Sequence, residues 1–382
     1  MNLTLAVTGQ VLIHQPLDLT GAAAGDLLDF LKADVTIGNF EGVVQAPGAW
    51  PTKTKTVHAV DKEVIASLAG LHFTAMSHAN NHAFDLGPPG ISASHAAMKA
   101  HKIQLAGSGM DLSAACSAAP ITIGAQTVAL LSVDLGPQPE IVYAGQDRAG
   151  IAPLRLRRKI LLPPDDYARL SALNEALGDA ARLRARQKVG YSGEVVEGLE
   201  AFGTVFLPGD RLQPRWDVDP TDRERLQAEI LGAKGRGEIV VLALHSHHWD
   251  ADWTVTPVWY DRLTKDLVDA GADVVIGTGA PVLQPMRIYR DRAILPGLGN
   301  FIFHTRRAAV YDREGVDVWT SAAVRLHLDP EGRCLQVNAM PIRASRASAT
   351  GKTKPPFAAA PALLTGEEAQ TVLQRLECPE RR

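Results

Sequence analysis

Cysteine and aromatic residues are scarce in this chain of 382 residues, and neither sign of charge dominates. The cysteines Cys116, Cys334 and Cys378 form no CxxC pair, which argues against a disulfide framework and favours a reducing compartment. Lysine and arginine number 39 against 42 acidic residues, so there is no general electrostatic reason to bind nucleic acid. We expect no nucleic-acid partner.

Long hydrophobic runs are also missing. No segment approaches the roughly 18 apolar residues that a membrane helix needs. The first nine residues lack the basic and apolar regions of a signal peptide. We therefore expect a soluble, cytoplasmic protein without a membrane anchor. A hydrophobic share of 46% and a charged share of 21% are ordinary for a globular protein and exclude a disordered or fibrous chain.

Short apolar runs alternate with helical stretches along most of the chain, which predicts an α/β layered fold. The predicted strands include residues 3–7, 34–38, 73–77, 103–106, 128–133, 238–244 and 273–277, and the predicted helices include 26–32, 62–70, 90–100, 220–234 and 259–270. We predict one domain over residues 1–345, followed by a tail over 346–382 with a short helix near 367–376.

The alternation breaks between about residues 150 and 220. Residues 169–187 show helical periodicity, whereas residues 190–219 contain scattered glycine and proline and are predicted to be irregular. We interpret this segment as a surface insertion. The alternative is a lid over an active site, because long excursions from a scaffold often carry function.

Polar residues follow several predicted strands, at the edge where open α/β sheets bind ligands. Alternate residues of a strand project to one side, so His245 and His247 can hold one cation. Together with Glu41 and Asn81 they form a mixed nitrogen and oxygen ligand set suited to Mn, Fe or Zn. Simpler interpretations exist for single residues: Glu41 as a helix cap, Asn81 as a turn residue and His82 as a packed imidazole.

Several motifs give the chain a family resemblance. It resembles the CapA (poly-γ-glutamate and capsule biosynthesis) proteins of the metallo-dependent phosphatase superfamily. The matching stretches are GQVLI, ADVTIGNFEG, SHANNHAFDLGPPGI, HSHHW, DAGADVVIG, VLQPMRIYRDRAILPGLGNFIF and the W-x-S stretch at Trp319. They cover about residues 1–140 and 235–330. The resemblance implies a four-layered α/β/β/α sandwich with a two-metal site at the strand ends.

The resemblance also implies roles for individual residues. Glu41, Asn81 and His245 are expected to bind metal, and His247 to bind metal or act on substrate. His82 is expected to be the catalytic acid or electrostatic group, steadied by Asp85. Five more polar residues are predicted as substrate contacts: Gln10, Asn80, His248, Thr278 and Asn300.

Three positions depart from the family pattern. Gln10 stands where an aspartate is expected, and Thr278 and Pro281 replace two histidines. All three changes weaken metal binding. One interpretation is a one-metal enzyme. A second is that other histidines complete a site with one or two divalent cations, namely His14, His78, His248 and His304. In a third, the metal is absent and the protein is a binding or scaffold protein.

The reaction class follows only from family analogy. Hydrolysis of a phosphoester or amide is the expectation, with a small anionic or peptide substrate. Epimerisation at a peptide α-carbon is an alternative, in which His82 and His247 serve as acid and base. A set of basic residues is interpreted as solvated surface, or alternatively as a contact for an anionic substrate: Lys53, Lys55, Arg155, Arg157, Arg158 and Lys159. The sequence indicates no oligomeric state.

Overall fold

The computed structural model describes residues 2–54, 56–138, 140–191, 197–347 and 357–377. Lys55 and Cys378, both singled out above, lie outside these residues. The chain divides into two compact units, one of residues 1–154 and 223–382 and the other of residues 155–222.

The first sheet of the larger unit has nine strands, with Leu3–Leu12 near its middle. This strand is parallel to Val35–Phe40 and antiparallel to Thr320–Leu328. The order across the sheet is Ala362–Leu363, Cys334–Arg343, Thr320–Leu328, Leu3–Leu12, Val35–Phe40, Ala75–Ser77 and Gln104–Ala106, and Asn300–Phe303 pairs with both Leu3–Leu12 and Ser345–Arg346.

The second sheet of the same unit has six strands. Its central strands Gln126–Asp134, Ile239–His245 and Val274–Thr278 are parallel, and their side chains are buried almost throughout. This burial explains why they are nearly continuous apolar runs in the sequence. The order across the sheet is Arg287–Tyr289, Arg292–Leu295, Val274–Thr278, Ile239–His245, Gln126–Asp134 and Ala119–Ile123.

The two sheets face each other across a core to which both contribute, for example Leu5 and Val7 from the first sheet and Val241 and Ile276 from the second. On the outer face of the first sheet, the helices Ala22–Leu31, Ile65–Gly70 and Gly87–Ala100 bury their apolar residues. In the chain, the helix Pro220–Gly235 precedes the strand Ile239–His245 of the second sheet, and the helix Val258–Asp269 connects that strand to Val274–Thr278. The predicted four-layered α/β/β/α architecture is confirmed.

The remaining elements of the larger unit are short. The helix Gly366–Leu376 contributes Val372 and Leu376 to the core between the sheets. Further helices are Lys62–Val64 (3₁₀), Leu112–Cys116 and Ala308–Glu314, and three short strand pairs join Leu17–Asp18 to Ala358–Ala359, Val43–Val44 to Ala59–Val60, and Ser108–Gly109 to Gly150–Ile151. Among the described residues, no helix combines the length and the apolar character that crossing a bilayer requires.

The smaller unit is more regular than the sequence predicts. The predicted helical stretch forms two helices, Pro164–Ala176 and Asp179–Lys188. They are separated at Gly178, which has a φ of 75°, a value that residues with a side chain rarely adopt. The segment predicted to be irregular contains strands of a four-stranded sheet, ordered Leu199–Ala201, Thr204–Pro208, Leu156–Leu162 and Gln213–Val218. Within this unit Arg155 pairs with Asp222 and Lys159 with Asp217. A lid function for this segment stays a prediction.

Candidate metal centre

Three neighbouring strands of the second sheet end in a row of polar side chains. The register pairs Asp134 with His245, and His245 with Thr278. Ala243 and Ile276, two residues earlier on their strands, belong to the core between the sheets. Side chains two apart on a strand share a face, so the row points toward the first sheet.

Four of the predicted ligand residues converge at this edge. One ligand atom each of Glu41, His245 and His247 lies within 4.8 Å of the other two. The Nε2 of His245 is 3.1 Å from Oδ1 of Asn81 and 3.1 Å from Nε2 of His247. Metal–ligand bonds of about 2.0–2.1 Å in a tetrahedral site put ligand atoms roughly 3.3 Å apart. The two spacings of 3.1 Å fit a cation shared by Asn81, His245 and His247, and Glu41 lies close enough to the two histidines to be a further ligand.

Thr278 contacts His245 and the backbone of the neighbouring strand. When its hydroxyl donates to the carbonyl oxygen of Leu244 at 3.3 Å, its oxygen accepts the Nδ1–H of His245 at 3.0 Å. A neutral imidazole has one N–H, which leaves a lone pair on Nε2. That lone pair faces the amide oxygen of Asn81, which also only accepts. Two acceptors in contact suit a cation between them.

Burial sets the charges of this group. It raises the pKa of Glu41, which is 5% exposed, and a cation nearby would offset that cost. Burial lowers the pKa of His245 well below its usual value and that of His247 to about 3, with a further contribution from His82. Both imidazoles are therefore neutral near pH 7, which is the form that binds metal.

Gln10 does not offer its oxygen to this group. Its Oε1 accepts the backbone N–H of Gly279 at 3.0 Å, which leaves its Nε2 to donate to Oε2 of Glu41 at 2.7 Å. The contact with a backbone donor fixes the orientation of the amide. An N–H group where the family pattern has a carboxylate disfavours a second cation at this position. The donor set present fits one cation better than two.

A second cluster adjoins the ligands and contains the predicted catalytic pair. The Nδ1 of His82 is 2.9 Å from Oδ2 of Asp85, which also accepts the backbone N–H of His58 at 2.7 Å. The ammonium of Lys53 is 2.5 Å from Oδ1 of Asp85. The rings of His58 and His82 meet edge to face at 4.2 Å. Among the described residues, no hydrogen bond to Nε2 of His82 is present.

The other predicted contacts mainly bind the protein itself. Asn80 donates to the carbonyl oxygen of Phe40 at 2.8 Å and accepts the N–H of His82 at 3.0 Å, so it attaches the His82 turn to the first sheet. Asn300 donates to the carbonyl oxygen of Val318 at 3.0 Å. The Nε2 of His248 is 3.0 Å from the carbonyl oxygen of Leu135. His248 is not in the group that Glu41, His245 and His247 form among the described residues.

The remaining histidines considered as additional ligands are in contact with other protein groups. His14 is 2.9 Å from Nδ1 of His58. His304 accepts the N–H of His14 and contacts Ser345, and His78 lies between Ser108 and the carbonyl of Gly42. Among the described residues, none of these histidines belongs to the group of Glu41, His245 and His247, and their role as additional ligands stays a prediction.

Three contributors to the site were not identified from the sequence: Lys53, Trp249 and His58, whose ring meets that of His82 at 4.2 Å. Lys53 was considered only as surface charge or an anion contact, although its side chain is 6% exposed and contacts Asp85. Trp249 stacks on His247 with ring centroids 4.9 Å apart, and its Nε1 donates to the carbonyl oxygen of Ser246. The short spacing between His247 and Trp249 in HSHHW could have indicated this stacking.

Asp134, in the row beside His245, should make the free energy of unfolding depend on pH. The residue is fully buried, its Oδ1 accepts from Gly136 and Tyr143, and among the described residues Oδ2 has no hydrogen-bond partner. Burial raises the pKa of this carboxyl from 3.8 to about 7. The folded state therefore binds the proton more tightly than the unfolded state, and stability present below about pH 4 is lost as the pH rises toward 7.

We expect Asp134→Asn to remove this part of the pH dependence. At about 1.4 kcal/mol per pKa unit, the wild-type free energy of unfolding should fall by up to about 4 kcal/mol relative to the variant between pH 4 and 7. Denaturant unfolding of both proteins at several pH values measures the difference. A difference that does not change with pH would contradict the assignment.

Comparison with known proteins agrees with the motifs. The family described as "Bacterial capsule synthesis protein PGA_cap" matches residues 4–305. The chain is 27% identical to protein y4sH of Sinorhizobium fredii over 80% of this chain and 67% of that protein. It is 24% identical to "PGA biosynthesis protein CapA" of Bacillus subtilis over 79% of this chain and 60% of that protein.

Another relative is the "Probable polyglutamine synthesis accessory protein" of Mycobacterium tuberculosis, 23% identical over 84% of this chain and 68% of that protein. Among solved structures, one that aligns with this chain is the NAD nucleotidase of Haemophilus influenzae. The alignment covers 98% of this chain and 62% of the nucleotidase chain, with 10% sequence identity and a TM-score of 0.41.

Proposed function

We propose that this chain, which belongs to the family of bacterial capsule synthesis proteins, is a metal-dependent hydrolase that binds one metal ion. The ligands are Glu41, Asn81, His245 and His247, and the cation is Mn, Fe or Zn. The substrate is an anionic molecule or peptide with an amide or phosphoester bond. The observation that carries the proposal is the convergence of ligand atoms on Nε2 of His245, which is 3.1 Å from both Oδ1 of Asn81 and Nε2 of His247.

The residues around the ligands support an enzyme. A divalent cation, when bound, acts as a Lewis acid and activates water. His82 has a nitrogen free of hydrogen bonds to the described residues, so it can exchange a proton with substrate or water. Asp85 orients that imidazole through Nδ1 at 2.9 Å. Thr278 keeps the lone pair of His245 available by accepting its Nδ1–H at 3.0 Å.

The names of two relatives suggest which substrates to test first. One relative is named for PGA biosynthesis and another for polyglutamine synthesis. Glutamyl peptides with α or γ linkage therefore join phosphomonoesters and phosphodiesters in a first panel, each assayed with Mn, Fe and Zn. An amide substrate is expected to release an amine, and a phosphoester to release an alcohol.

We expect His82→Gln to lower turnover about 100-fold or more, the usual contribution of a positioned acid or base, while the cation still binds. Steady-state rates together with calorimetric metal titration of both proteins separate the two effects. The alternative function, a non-catalytic binding or scaffold protein, is favoured by the Gln10 amide at a position where the family has a carboxylate. Equal background rates for wild type and His82→Gln across the panel would support that alternative.

A further inference from the structure

One buried ammonium group joins the metal ligands to the predicted catalytic histidine. The Nζ of Lys53 donates to the backbone carbonyl oxygen of Asn81 at 2.7 Å. It also forms an ion pair with Oδ1 of Asp85 at 2.5 Å, and it is 3.3 Å from Nδ1 of His82. Lysine side chains are rarely buried unless they are paired. All three contacts are with one turn of the chain.

Each contact restrains a different part of the site. The bond to the Asn81 carbonyl fixes the main chain of a residue whose side chain is a ligand. The ion pair fixes one oxygen of Asp85, while the other oxygen is 2.9 Å from His82. Asp85 is only 1% exposed, so a buried carboxylate without this cation would be strongly destabilising.

We propose that Lys53 is a positioning residue that fixes Asn81 and His82 relative to each other, so that the ligand oxygen and the acid–base imidazole face the same cation. The inference rests on the proposed one-metal function. Lys53 itself does not bind the cation: its atom contacts are the carbonyl of Asn81, the carboxylate of Asp85 and the ring of His82. Outer contacts of this kind typically change metal affinity about 10–100-fold when removed.

The neighbouring residue offers a matched control. Thr52 also attaches this turn, through its N–H to the carbonyl of Asp85 at 2.9 Å and its hydroxyl to the carbonyl of Phe84 at 2.7 Å. Neither of these hydrogen bonds involves Asn81, the proposed ligand, or His82. Thr52→Val removes one restraint on the backbone of the turn and leaves the Lys53 contacts in place. A general loosening of the turn would therefore affect both variants.

The experiment measures Mn²⁺ and Co²⁺ affinity of the full chain by calorimetry, and the visible absorption of bound Co²⁺, for wild type, Lys53→Met and Thr52→Val. We expect Lys53→Met to raise the dissociation constant about 10–100-fold. Its Co²⁺ spectrum should change, because a displaced Asn81 alters the ligand set. Thr52→Val should keep the wild-type spectrum and an affinity within about threefold of wild type, below the range for removed outer contacts.

A double variant keeps the test valid if Lys53→Met does not fold. Lys53→Met with Asp85→Asn leaves no unpaired buried charge, yet it still lacks the bond to the Asn81 carbonyl. It should show the same weakened affinity. Wild-type affinity and spectrum in a folded Lys53 variant, or equal losses in Lys53→Met and Thr52→Val, would overturn the positioning role. No binding to wild type itself would instead overturn the proposed function, on which the inference rests.

Discussion

Replacing His245 by alanine should abolish stoichiometric metal binding. The substitution removes the lone pair that faces both Asn81 and His247 at 3.1 Å, and it leaves only three of the four donors. Since loss of an outer contact already costs about 10–100-fold in affinity, loss of a ligand should cost more than about 100-fold. Calorimetric titration of metal-free protein with Mn²⁺ and Zn²⁺ gives the two dissociation constants.

His248→Ala is the matched control for that measurement. His248 lies in the same loop, but its Nε2 is 3.0 Å from the carbonyl oxygen of Leu135 and its ring packs edge to face on Trp259. The metal affinity of the His248→Ala variant should equal that of the wild type. If both alanine variants lose affinity equally, the loop as a whole is responsible and His245 is not a specific ligand.

Gln10→Asp should make the stability of the protein depend on bound metal. The wild-type amide donates to Glu41 at 2.7 Å, and aspartate replaces this donor with a second negative charge beside a buried carboxylate. Loss of a hydrogen bond to a charged group costs about 1.5–3 kcal/mol, and repulsion between the carboxylates adds to it. We expect the metal-free variant to be destabilised by about that amount or more, and saturating Mn²⁺ to restore most of the loss.

The variant Gln10→Asn separates the effect of charge from the effect of side-chain length, because asparagine is as short as aspartate but neutral. Thermal unfolding with chelator and with excess Mn²⁺ gives the stabilisation by metal for each protein. The aspartate variant should gain clearly more from Mn²⁺ than the asparagine variant. Equal stabilisation of both variants by Mn²⁺ would mean that the side chain of residue 10 does not face the cation. The contact of the wild-type amide with the proposed ligand Glu41 at 2.7 Å predicts the opposite.

The parts of the fold with regular burial could be predicted from the sequence. Ile239–His245 is a nearly unbroken apolar run because both faces of its parallel strand are buried, and the run leads directly to the proposed ligands His245 and His247. The strand ends therefore pointed to side chains that the structure brings together. The smaller unit was harder to predict because its strands are only partly buried, as the exposed and intermediate residues of Gln213–Val218 show, and so lack a clear pattern.

The parts of the site that depend on distant contacts could not be predicted. The burial of Lys53 results from a turn about thirty residues further along the chain, and nothing in the surrounding prolines, threonines and lysines indicates it. The orientation of the Gln10 amide is set by Gly279, which directly follows the strand Val274–Thr278 of the other sheet. Thr278, judged from the family pattern as a lost ligand, instead orients His245. Such roles can be recognised only when the positions of both contacting residues are known.

The metal content of the protein, purified without chelator or nickel affinity resin, tests the one-metal centre most directly. Inductively coupled plasma mass spectrometry gives the number of Mn, Fe and Zn atoms per chain, before and after reconstitution with excess Mn²⁺. The arrangement of Glu41, Asn81, His245 and His247 predicts one equivalent that is retained on gel filtration. No metal after reconstitution, or two tightly bound equivalents, would contradict it.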